Sequence, residues 1–182
     1  MTESNNLPSL KRFITTHDST TGKAIFSDAL SEENTFRPIP GAKFALGYTT
    51  KEFPPDLNND SDISIYKSYL ETPPGIVISG GTVLRFVDMA PDTLSPMHRT
   101  VSLDYGIIIE GEVDLVLDSG EVRSMKRGDT AIQRGTMHAW RNNSKTEWAR
   151  MAFILQETKP VVVNGKALGE DYGTMQGVPP SS

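Results

Sequence analysis

The chain contains no cysteine in 182 residues. That excludes disulfides, thiolate nucleophiles and cysteine-ligated metals. Histidine is scarce too: imidazole chemistry has only His17, His98 and His138 to draw on. Basic blocks are missing. Lys and Arg number 18 against 23 Asp and Glu, for a net charge of −5, so the cationic patch that nucleic acid requires is not there. No apolar run approaches membrane-spanning length, and Met1 to Pro8 lacks the charged start and apolar core of a signal peptide. The expectation is a cytoplasmic protein with neither a nucleic-acid nor a membrane partner. A sustained helical period is also lacking.

What the sequence does have is short apolar runs separated by turn residues. Leu10 to Thr15 and Lys23 to Phe26 read as strands around a turn that holds His17, and Phe44 to Thr50 reads as another. Ile63 to Leu70 alternates weakly and is expected as an edge strand. Ile76 to Ser79 and Thr82 to Asp88 flank Gly80-Gly81, a two-residue hairpin signal. Ile107 to Leu117 forms a hairpin bent at Gly111, followed by strands over 121–125, 129–133, 138–142 and 147–156. A short helix is expected after Gly165. Many short strands at regular spacing indicate an all-β sandwich or barrel.

The expected organisation is an N-terminal arm with flanking strands over 1–75, a barrel core over 76–160 and a C-terminal extension over 161–182. Residues 1–8 and the tail from Gly177 are expected to be disordered. The irregular stretch 30–63 has the length of an arm, a lid or a partner contact. Exposed sheet edges and a long arm lead to the expectation of a homodimer.

Two stretches concentrate the chemistry. The first is Met97-His98-Arg99-Thr100-Val101-Ser102-Leu103-Asp104-Tyr105-Gly106. The second is Gln133-Arg134-Gly135-Thr136-Met137-His138-Ala139-Trp140-Arg141-Asn142. Alternate residues of a strand share a face, so a regular first stretch would present His98, Thr100, Ser102 and Asp104 together. The same parity puts Trp140 with His138. Thr100, Ser102, Tyr105, Trp140 and Arg85 are candidates for substrate binding. Arg85, within an apolar strand, suits either a carboxylate ligand or a snorkelling surface position. Arg150, among Trp148, Met151 and Phe153, is a candidate to meet a carboxylate across a dimer interface.

The two stretches resemble the paired motifs of the cupin superfamily. His98, Asp104 and Gly111 match the first motif at its spacing. Gly128, Gly135, His138 and Asn142 match the second, and the likeness covers roughly residues 76 to 156. Three positions depart: Thr100 stands where the second histidine usually is, Asp104 replaces glutamate and Gln133 replaces proline. The fuller pattern is similar to small single-domain cupins often encoded beside fungal secondary-metabolite pathways. The resemblance implies a cupin-type double-stranded β-helix, or jelly roll, and a small-molecule substrate.

Two chemistries suit these residues. His98, Asp104 and His138 have the composition of a two-histidine, one-carboxylate site for a divalent metal such as zinc, iron or manganese, which would serve a dioxygenase or isomerase. Without metal, the two imidazoles can act as general base and general acid, with Asp104 raising the pKa of one ring by its charge. That suits a lyase, whether dehydratase or decarboxylase, acting on an oxygenated polyketide-type compound. No organic cofactor is expected. A non-catalytic small-molecule binding module is the reading from a different class.

Overall fold

A computed structural model describes residues 5–181. Its strands are β1 (Thr15–His17), β2 (Ala24–Phe26), β3 (Arg37–Ile39), β4 (Ala42–Thr49), β5 (Thr82–Met89), β6 (Thr93–Leu94) and β7 (Ser102–Glu110). They continue as β8 (Glu112–Leu117), β9 (Val122–Lys126), β10 (Thr130–Arg134), β11 (His138–Asn142), β12 (Ala149–Glu157), β13 (Val161–Val163) and β14 (Lys166–Leu168). One α-helix, α1 (Ser61–Glu71), lies between β4 and β5 among the described residues.

A six-stranded sheet runs β10-β7-β12-β5-β4-β3 and a four-stranded sheet runs β6-β11-β8-β9, with every pairing antiparallel. This is the expected jelly roll. Along β7, Ser102, Asp104, Gly106 and Ile108 are buried while Leu103, Tyr105, Ile107 and Ile109 are more open, the period-2 signature of a strand with one face on the core. The core between the sheets includes Ile108, Val113, Met125, Trp140, Met151, Phe153 and Leu155. Trp140 and Phe153 meet edge to face, their centroids 5.7 Å apart, a pairing that adds about 0.5–1.5 kcal/mol beyond area burial. Gly106 makes room for them: a Cβ there would stand 2.8 Å from the Phe153 ring.

Four sequence expectations differ from the structure. Ile63 to Leu70 belongs to helix α1, not to an edge strand. Its buried residues Ile63 and Tyr66 are three apart and face β4, where the Tyr66 hydroxyl donates to the Leu46 carbonyl at 2.6 Å. Eight residues are too few for periodicity to separate the two states. Ile76 to Ile78 are buried but Ile76 to Ser79 is not paired as a strand, because Gly80-Gly81 closes a turn onto Ile78 and does not join two strands. Among the described residues no helix follows Gly165. Asn164 and Gly165, with φ of 49° and 75°, instead form the tight turn of the β13–β14 hairpin. The tail is also placed. Met175 and Val178 pack on the core, and the Val77 N–H donates to Ser181 Oγ at 3.3 Å. Ser182 lies outside the described residues.

The N-terminal arm is tied down as well, from Asn5 onward; residues 1–4 lie outside the described residues. Asn5 donates to Asp88 at 2.6 Å, and the Pro8 carbonyl accepts from Arg150 at 2.7 Å. Arg150 itself pairs with Asp88 of the same chain, through Nε and Nη2 at 2.6 and 2.7 Å. It therefore meets its carboxylate across β12 and β5, not across a subunit boundary. Downstream in the arm, β3 and β4 extend the large sheet beside β5.

Candidate functional site

The space between the two sheets holds a cavity of about 550 Å³, in the range that accepts small organic ligands. Apolar groups dominate its wall: Ile39, Phe44, Val87, Met89, Trp140, Met151, Phe153 and Leu155. Into it project His98, Thr100, Asp104, His138, Gln133 and Arg85. Residues 39–42 and 174–176 complete the wall, whereas 54–60 contribute none of it. Within the stretch 30–63, which has the length of an arm, a lid or a partner contact, only Ile39 to Ala42 line the cavity, together with Phe44.

His98 and His138 are held by backbone. Each donates its N–H to the other's carbonyl, at 2.8 and 2.9 Å, bridging the start of β11 to the segment before β7. Their rings lie 4.3 Å apart, tilted by 53°. Each ring nitrogen Nδ1 sits 2.9 Å from the carbonyl two residues earlier, that of Pro96 for His98 and of Thr136 for His138. A carbonyl only accepts, so both Nδ1 atoms carry the proton and both Nε2 atoms are lone-pair donors in the neutral rings. Burial lowers the pKa of both; His138, also under the charge of His98, is brought down to about 4. The sequence-based expectation that Asp104 raises one of these values is not met: desolvation dominates.

Asp104 sits on the other sheet, in register between Gln133 of β10 and Leu155 of β12. It is 4% exposed, and its Oδ1 has no hydrogen-bond partner. Burial raises its pKa to about 6, against the opposing pull of the Ser102 and Thr100 hydroxyls. The strand that would align His98 through Asp104 is not regular. His98 pairs at an isolated bridge, and the chain leaves strand geometry at Thr100 and Val101 before β7 begins. Among the described residues no three His, Cys, Asp or Glu side chains converge as a metal centre requires. The expected His98–Asp104–His138 triad is therefore not assembled. The imidazoles lie at the rim joined to the smaller sheet, Asp104 belongs to the larger one, and aspartate reaches one methylene less than glutamate. The histidines alone remain as a pair of neutral nitrogen donors.

Other expected residues divide the same way. Thr100 lines the cavity and hydrogen-bonds Ser102 at 2.7 Å; Ser102 is buried behind it and forms no part of the wall. Trp140 is the aromatic wall, edge-on to His138. Tyr105 is not at the pocket. It is 38% exposed on the outer face, beside Ile132 and Ile154, because its parity opposes that of Asp104. Arg85 faces inward. It is 8% exposed, stacks over Phe44 at 5.3 Å and donates to the Gly75 carbonyl at 2.7 Å. Its Nε–H has no acceptor, and burial brings its pKa down to about 10.

Sequence reading missed Gln133, treated only as a departure from the motif. It is 3% exposed, lines the cavity beside Asp104, and neither its carbonyl oxygen nor its amide nitrogen has a partner. The signal was its parity: Gln133 shares a face with buried Ala131, where an unpaired amide is costly.

No protein-family model matches the chain. Over 168 residues it is 51% identical to the phomopsin biosynthesis cluster protein D of Diaporthe leptostromiformis, covering 92% of this chain and 88% of that one. A cupin-domain-containing oxidoreductase of Hypocrea virens is 43% identical over 158 residues, covering 84% of this chain and 78% of the relative. Among solved structures, the cupin domain of Schizosaccharomyces pombe Cnp3 superposes with a TM-score of 0.50 at 13% identity, over 82% of this chain and 88% of that domain. With its jelly roll, its inward-facing histidine pair and these relatives, the chain belongs to the cupin superfamily, among the small cupins of fungal secondary metabolism.

Proposed function

We propose that this cupin is an enzyme acting on a small molecule of a fungal biosynthetic pathway by acid–base chemistry across its cavity. The observation that carries the reading is that two imidazoles with free Nε2 atoms and a buried Asp104, its pKa raised to about 6, line one cavity. A hydroxylated carbonyl compound lying between them would lose its α proton to His98 or His138. Asp104 would protonate the departing hydroxyl, and a carbon–carbon double bond and water would form. Imidazolium and aspartate then remain, and proton exchange with solvent resets both. No nucleophile is required. The same base and acid, without a leaving hydroxyl, would shift a double bond. A substrate with a β-keto carboxylate would lose carbon dioxide instead, with Asp104 protonating the enolate.

A second reading is an oxidoreductase. The names of relatives at 43% and 41% identity support it, as does the neutral histidine pair, which offers two nitrogen donors to a divalent metal.

One experiment separates these readings. The chromosomal copy is replaced by His138→Ala in the native host, and the accumulating intermediate is compared by mass with the normal product. An excess of one water or one carbon dioxide is the expected result, with turnover lowered by roughly 10²–10⁴. A difference of two hydrogens or one oxygen would favour the oxidoreductase. A metabolite profile unchanged by replacing both His98 and His138 with Ala would leave only a binding module.

A further inference from the structure

Buried cations in folded proteins are paired, because an isolated charge loses several kcal/mol of hydration with nothing in return. Arg85 breaks this rule. More than nine-tenths of it is buried, it lines the cavity, and among the described residues no carboxylate forms an ion pair with it. The Gly75 carbonyl takes one Nη2 hydrogen and the Phe44 face covers the guanidinium, but the Nε–H remains without an acceptor. A neutral residue would have suited this position, where Phe44 covers the guanidinium, Val87 shares its face of β5 and Phe153 is its cross-strand partner.

We infer that the cavity takes a carboxylic acid, whose carboxylate completes the coordination of Arg85. This rests on the proposed reading of the cavity as a substrate site and narrows its substrate class. Arg85 is the sole Lys or Arg among the lining residues, so the site offers one positive charge to one negative charge. A monoanionic carboxylate matches that, and its planar oxygens match the guanidinium edge. A dianionic phosphate would bring a second charge into an apolar cavity with nothing to meet it.

The far wall fixes the orientation. Gln133 and Asp104 are adjacent on β10 and β7, and Arg85 projects from β5, with β12 between. Three inter-strand steps of about 4.8 Å separate Gln133 from β5, before sheet curvature and side-chain length draw the two ends together. Asp104 and the Gln133 amide, whose buried polar atoms lack partners, suit a hydroxyl or carbonyl. The ligand therefore lies with its carboxylate on Arg85, its apolar part along Trp140 and Phe153, and its neutral oxygen beside Asp104, within reach of the acid–base groups.

Calorimetric titration of the purified protein with octanoate and with methyl octanoate tests this without knowledge of the substrate. The acid is expected to bind roughly a hundredfold more tightly than the ester, and Arg85→Met to reduce the acid to the affinity of the ester. Circular dichroism reports whether the variant is folded. If it is not, the acid-to-ester ratio of the wild type and the intermediate ratio expected of Arg85→Lys decide alone. Equal affinities for acid and ester, no binding of octanoate, or a preference that survives Arg85→Met would each overturn the inference. Because the readout is binding, it stands apart from the metabolite comparison. Acid selectivity with unchanged metabolites would defeat the enzymatic reading only, and the reverse pattern would defeat this inference only.

Discussion

Two arginines are buried in the same sheet, and they have opposite surroundings. Arg150 on β12 is 2% exposed and has its full set of partners: both oxygens of Asp88, the Pro8 carbonyl and the face of Phe36. Arg85 on β5 lies three residues from Asp88, on the opposite parity, and has one carbonyl and one ring. The first sits under the N-terminal arm and fastens it to the sheet. The second faces the cavity. Equal burial thus marks a structural clamp in one case and a ligand site in the other, and hydrogen-bond completeness tells them apart.

The largest effect expected from this contrast is on Arg150. Arg150→Met leaves buried Asp88 without its ion-pair partner, with only the Asn5 amide still donating to it, and should destabilise the protein by about 3–5 kcal/mol in urea denaturation. A loss below 1 kcal/mol would mean that the arm is held by other contacts. Asp104→Asn comes next and has the opposite sign. The folded-state pKa of Asp104 is about 6 against an ordinary 3.8, so its ionised form is disfavoured by folding. Stability from this group is complete below pH 3.8 and is lost as pH rises through about 6. Asp104→Asn should therefore be more stable than the wild type above pH 6, by at most ~3 kcal/mol, and indistinguishable from it near pH 3.5. A gain independent of pH would show that the carboxylate is solvated.

The smallest effect is the sharpest test of the comparison. Arg85→Met removes a charge that has no ionic partner and keeps most of the volume, so its stability should stay within about 1.5 kcal/mol of the wild type. The same substitution that unfolds the clamp should leave the cavity wall standing. A loss as large as that of Arg150→Met would show that Arg85 is structural after all.

Much of the architecture was legible because strand parity and turn chemistry are local. The β7–β8 hairpin turns at Gly111, with φ of +80°, as its sequence expects, and Trp140 shares the inner face of His138. What misled was local as well. Ile63 to Leu70 fits two periods, and Asn164-Gly165 marks a hairpin that was read as the approach to a helix. The site shows the limits of parity. His98, Thr100, Asp104 and Trp140 do line one cavity, but His98 lies outside the regular strand, and parity says nothing of where two sheets stand relative to each other, so it does not separate residues that share a cavity from a converging triad. Tyr105, next to Asp104 in sequence, has the opposite parity and faces outward. Gln133 was open to parity through buried Ala131, whereas the Arg150–Asp88 pair depends on cross-strand register, which no single stretch of sequence contains.

The acid–base assignment turns on the protonation of the imidazole pair, and NMR titration of the two side chains measures it directly. Near neutral pH both rings should be neutral with the proton on Nδ1, His138 should titrate at about 4, and His98 should titrate below the usual imidazole range because it is buried. Protonation of either ring near neutral pH, or a proton resting on Nε2, would remove the general base and contradict the proposed chemistry.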